Sequence, residues 1–106
     1  MKFTVHELPK AKADKRSISE WLFERSPQGA ASWLDAYDRL LVKLEGIADL
    51  FGEAIENQDC EFDVKQAFFK TKHGRVYRIL YFLDGNDVYI LRVRGPGQAP
   101  IDVGDR

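Results

Sequence analysis

From Lys2 to Leu8 the chain alternates, with Phe3, Val5 and Leu8 set against Lys2, Thr4 and His6. A period of two predicts a short strand, closed by Pro9. Lys10 to Arg25 is polar apart from a narrow stripe at Ile18, Trp21 and Leu22, whose i, i+3, i+4 spacing predicts an amphipathic helix. Ser26-Pro27 then resets the chain, the serine suited to an N-cap and the proline to a first helical position. The strongest periodic signal follows. Ala30, Trp33, Leu34, Tyr37, Leu40, Leu41, Leu44, Ile47, Ala48 and Phe51 form a wide apolar stripe over about six turns. Two consecutive helices joined so tightly predict a helical hairpin.

Gly52 to Asp63 is acidic, lacks periodicity and reads as a loop. Val64 to Thr71 reads as a strand, Lys72-His73-Gly74 as a turn, and Arg75 to Leu83 as an apolar, aromatic central strand. Asp84-Gly85-Asn86 is a hairpin signal. Asp87 to Arg94 is the last strand, ended by Gly95-Pro96-Gly97. The expected fold is α+β: an N-terminal strand, a helical hairpin and a three-stranded antiparallel meander. Together these give a four-stranded sheet with the helices on one face. Each helix has one stripe to bury, so one sheet face is expected to be covered and the other free to carry charged side chains.

The chain has 106 residues, which suits a single domain over 1–106 with 95–106 as a tail. No apolar run is long enough to span a bilayer, and the first residues carry no apolar leader segment. Cys60 is the sole cysteine, so an intramolecular disulfide is impossible and a cytoplasmic location is the simplest expectation. One cysteine and two separated histidines give no metal-ligand spacing, and neither metal nor cofactor is expected.

The net charge of −1 conceals a strong asymmetry. Residues 51–64 carry Glu53, Glu56, Asp59, Glu61 and Asp63 and no base. Residues 65–94 carry Lys65, Lys70, Lys72, Arg75, Arg78, Arg92 and Arg94 against only Asp84 and Asp87. A basic block of this kind could meet a polyanion or an acidic partner. A run of charges is more often simply a solvated face.

The order of elements, with Tyr77-Arg78-Ile79-Leu80-Tyr81 and then Val88-Tyr89-Ile90-Leu91-Arg92-Val93, resembles the RelE/ParE toxin superfamily. The resemblance covers nearly all of residues 1–94. It implies a small bacterial toxin of a type II toxin–antitoxin module, of the plasmid-stabilisation type, that inhibits growth and is held inactive by a cognate antitoxin. Members of the superfamily either cleave messenger RNA on the ribosome or poison DNA gyrase.

RNA cleavage needs a base for the 2′-OH, a cation for the scissile phosphate and an acid for the leaving oxygen. Arg78 resembles the central-strand arginine of the RNA-cleaving members. Lys70 and Lys72 resemble their basic pair on the preceding strand, given a one-residue shift. Arg92, and more weakly Arg75 and Arg94, complete the candidate phosphate- or target-binding set. RNA-cleaving members commonly carry a Tyr or His in the C-terminal segment. Gly95 to Arg106 has neither, and Asp102 is the only titratable candidate there. No catalytic residue can be assigned, and weight moves toward the non-catalytic, gyrase-poisoning branch. An RNA endonuclease and a degenerate partner-binding relative stay open.

Plain roles compete with these. Arg78 could pair with the acidic loop, Lys70 and Lys72 could be solvated edge charges, and Tyr77, Tyr81 and Tyr89 could be core or cross-strand partners. Trp21 and Trp33 read as core, His6 as structural, and neither His73 nor Cys60 shows the neighbours of a catalytic group. A two-residue hairpin loop would set Arg78 opposite Val93. A three-residue loop would set it opposite Arg92 on the same face, and the second register is the one expected here. On this reading Arg78→Ala lowers toxicity and leaves the fold intact.

Overall fold

The computed structural model describes residues 2–56, 63–72 and 74–96. It contains β1 (Thr4–Glu7), α1 (Pro9–Arg25), α2 (Pro27–Ile47) with a 3-10 turn at Ala48–Leu50, β2 (Lys65–Phe69), β3 (Tyr77–Asp84) and β4 (Asp87–Arg94). The sheet order is β1-β4-β3-β2, with β1 parallel to β4 and the other pairs antiparallel. The α+β expectation holds, with both helices on one side of the sheet.

Pro9 ends the strand and also opens α1, where its missing N–H costs nothing. Ser26 serves both helices. Its N–H donates to Leu22 O at 2.8 Å, and its hydroxyl accepts from Gly29 N at 3.0 Å. One residue thus satisfies the end of α1 and the start of α2, so the hairpin can turn without a linker.

The main core lies between α2 and the sheet. Trp33, Tyr37, Leu40 and Leu44 pack with Ile79, Tyr81, Val88, Ile90 and Val93. Fully burying side chains of this size contributes about 1.5–3 kcal/mol each. The two buried phenols have partners: Tyr37 donates to Glu7 Oε2 at 2.7 Å and Tyr81 to Ala48 O at 2.7 Å. Burial pushes both hydroxyls well above the ordinary tyrosine range, and for Tyr37 the bond to the Glu7 carboxylate adds to it.

Trp33 is core, but Trp21 is not. Trp21 is 52% exposed, with the Arg25 guanidinium 3.6 Å from its ring centre. α1 buries fully only Ala11 and packs Ile18 and Leu22 against the core, while Trp21, between them on the stripe, faces outward.

The second sheet face is not free as expected. Leu80, Phe82 and Leu91 are buried there in a smaller cluster with Ala54 and Val64. The chain on either side of 57–62 makes this cover. Ala54 N donates to Val64 O at 2.8 Å, Gln66 N donates to Gly52 O at 3.0 Å, and Glu53 bridges Lys65. Leucines and phenylalanine at alternating positions of a central strand need apolar contact on both faces, and the acidic segment supplies it through its few apolar residues.

The β3–β4 hairpin departs from both anticipated registers. Asp84 pairs with Asp87 across Gly85-Asn86. Gly85 has φ +60° and no other described residue has positive φ, the pattern of a type II′ turn. The register then shifts between Leu80 and Tyr81: Tyr81 faces Ile90 but Leu80 faces Arg92, leaving Leu91 as the extra residue of a bulge. Arg78 therefore stands opposite Arg94, not opposite Arg92 or Val93.

Candidate target-binding site

Arg78, Leu80 and Phe82 alternate onto the second face of β3, so Arg92 and Arg94, registered against Leu80 and Arg78, belong to the same face. Three arginines meet on two adjacent strands, as the basic block suggested. Their charges are answered within the chain.

Arg78 makes a two-pronged pair with Glu56, Nη1 to Oε1 at 2.9 Å and Nη2 to Oε2 at 2.7 Å. Nη1 also donates to Gln66 Oε1 at 3.2 Å. The Glu56 side chain is completely buried and that of Arg78 only 15% exposed. The planar guanidinium matches a carboxylate in this parallel geometry, which makes it the stronger kind of ion pair.

Arg92 meets Asp14 of α1 in the same manner, Nε to Oδ2 at 2.6 Å and Nη2 to Oδ1 at 2.9 Å. Asp14 Oδ2 also accepts from Val93 N at 3.0 Å. β1 pairs with β4 only as far as Ile90, so the edge of β4 beyond it is open, and Asp14 caps the N–H exposed there. The Asp14 bond raises the Arg92 pKa. Arg94 moves the other way: burial, and next the charge of Arg92, lower its pKa.

The remaining candidates lie apart. β2 ends at Phe69, so Lys70 and Lys72 lie beyond the strand. Lys70 is exposed beyond the strand end and Lys72 sits in the following turn, where Gly74 N donates to Thr71 O at 3.2 Å. A side chain at Gly74 would meet the Thr71 hydroxyl, which would have to turn away. Arg75 is exposed past the turn. His73, Cys60 and Asp102 lie outside the described residues.

His6 shares a 2.9 Å contact with Asp87 and stacks on Tyr89, which stacks on Phe82, a cross-strand ladder that agrees with a structural reading. Tyr77 belongs to the aromatic cluster around Trp33. Glu56 was visible in sequence only as one member of an acidic run. Asp14, in a helix of mixed charge 79 residues from Val93, carried no signal.

A mixed four-stranded sheet backed on one face by a helical hairpin matches a ParE-like fold. A chain of the solved "Chromosomal ParDE TA system from P. aeruginosa" superimposes with a TM-score of 0.67 and 15% identity, over 89% of this chain and 96% of that one. No family model matches the sequence, and no curated protein matches it. At that identity the likeness is one of fold. No helix among the described residues is long and apolar enough to cross a membrane.

Proposed function

We propose that this chain is the toxin of a type II toxin–antitoxin pair, and that it acts in the ParE-like manner, by binding a protein target such as DNA gyrase in the cytoplasm. The fold shared with the ParDE structure supports the toxin reading. The observation that favours binding over RNA cleavage is the Arg78–Glu56 pair. A nuclease needs a central-strand cation aimed at a phosphate, and here that guanidinium is closed by a buried carboxylate. Arg92 is likewise closed by Asp14. The cognate antitoxin would bring acidic side chains to the basic block, and association should weaken as salt is raised.

The RNA-endonuclease reading keeps one specific support. Arg78, Arg92 and Arg94 gather on one face of β3 and β4, the concentration of cations that a phosphate backbone would meet. Two assays on the purified chain decide between the readings. Inhibition of DNA gyrase supercoiling without cleavage of messenger RNA on translating ribosomes is the expected result; cleavage would reverse the assignment. A chain inert in both that still binds the product of the neighbouring reading frame would be a degenerate, partner-binding relative.

A further inference from the structure

Where the closed end of the helical hairpin meets the β2–β3 turn and the end of β4, a groove of about 490 Å³ opens. Its apolar wall comes from Ile18, Trp21, Leu22, Trp33 and Tyr77, with Pro96 at one lip. Three observations distinguish it from an ordinary surface crease. Trp21, the member of the α1 stripe that finds no core, is half exposed along it. Trp33 is 2% exposed, yet its indole N–H meets no acceptor among the described residues. Buried donors are nearly always satisfied, so an orphan at the wall of a groove marks a place where an acceptor belongs. Finally, the only charged side chain among the described lining residues is Arg75, which is exposed and in no ion pair among those residues.

We propose that this groove docks a short segment of a partner protein carrying a bulky apolar side chain followed by a carboxylate. The apolar side chain fills the space between Trp21, Leu22 and Trp33, and the segment's polar backbone offers an acceptor to the Trp33 N–H. The carboxylate pairs with Arg75. Cation and aromatic wall together select an acidic, apolar-anchored peptide over a basic one, as anchor-and-rim interfaces commonly do. The site is separate from the arginine cluster on the other sheet face. It rests on the toxin–antitoxin reading only for which protein would supply the segment.

The probe is acetyl-Ala-Phe-Asp-Ala-amide, titrated to about ten millimolar because an isolated anchor binds weakly, against the full chain labelled with nitrogen-15. Saturable shifts of the Trp21 and Trp33 indole N–H resonances are expected. Trp21→Ala should abolish the Trp33 shift, and Arg75→Glu should weaken binding several-fold. Exchanging the peptide's aspartate for asparagine should do the same to wild type and do little to Arg75→Glu. No shift at either indole, or shifts indifferent to Trp21→Ala, would overturn the proposal. Indole resonances that move with protein concentration alone would assign the groove to a second copy. Resonances deaf to peptide but altered by Ile101→Ser would assign it to the chain's own C-terminal segment. Failure to bind the neighbouring gene product would count against the toxin reading while leaving the peptide result standing.

Discussion

Replacing Arg78 by alanine removes both guanidinium bonds to the Glu56 carboxylate, whose side chain is fully buried and whose two oxygens accept from Arg78 at 2.7 and 2.9 Å. Breaking a buried pair by removing one partner costs about 3–5 kcal/mol, because the remaining charge keeps its desolvation and loses its attraction. A domain of this size has only about 5–15 kcal/mol in total. Each kcal/mol lowers the melting midpoint by roughly 4–8 °C in domains near 100 residues. Arg78→Ala is therefore expected to melt well over 10 °C below wild type, so the sequence-based expectation that this variant keeps its fold is revised. Replacing both partners, Arg78→Met with Glu56→Gln, removes the buried charge along with its guanidinium and should recover most of the loss. Circular dichroism melts and urea titrations of wild type, both single variants and the double variant close the cycle. If Arg78→Ala melts within a few degrees of wild type, or the double variant is no better than Arg78→Ala, the pair is not the buried device described here. On the proposed reading, growth arrest by the folded double variant would show whether the guanidinium matters beyond the fold.

Asp14→Ala removes both Arg92 bonds and the cap on Val93 N, and should cost roughly 1.5–3 kcal/mol in urea unfolding. Ser26→Ala loses the hydroxyl that accepts from Gly29 N and should cost about 1 kcal/mol by the same measurement. Tyr37 and Tyr81 have folded-state pKa values raised above the unfolded phenol's. Their contribution is complete below pH about 10. It is lost as pH rises from there toward the folded values, at about 1.4 kcal/mol per pH unit for each. Melting midpoints measured through that alkaline range should fall, and Tyr81→Phe should flatten the fall; an unchanged slope would refute the assignment.

The elements that were legible in the sequence are those whose determinants sit close together along the chain. The α2 stripe, the Ser26-Pro27 cap and the Asp84-Gly85-Asn86 turn each state their conformation within a few residues. The register was not legible, because the bulge at Leu91 adds one apolar residue inside an apolar run and changes no local pattern. Its effect is felt at the far end of the hairpin, where it exchanges Val93 for Arg94 opposite Arg78. Trp21 sits on a good helical stripe, yet its neighbour Leu22 packs on the core while Trp21 stays half exposed, a difference set by the angle at which α1 meets α2 rather than by the stripe's spacing. The partners of the arginines, Glu56 and Asp14, are tertiary facts. Net charge could suggest that the acidic run answers the basic one, but not which carboxylate would be buried, nor that a helix would supply the second.

The parallel pairing of β1 with β4 sets a schedule on the ribosome. His6 and Asp87, which touch in the finished sheet, are 81 residues apart. At about 5–20 residues per second, the first strand waits roughly 4–16 s before its neighbour is even synthesised. The helical hairpin, built from local contacts, can form in that interval, but β1 has no edge to join until β4 appears. The arginine cluster shares this timing, since Arg92 and Arg94 belong to the last strand and Asp14 cannot seal Val93 before then. The face that carries the arginines therefore exists only once β4 has been made, and any partner that reads that face must wait for it.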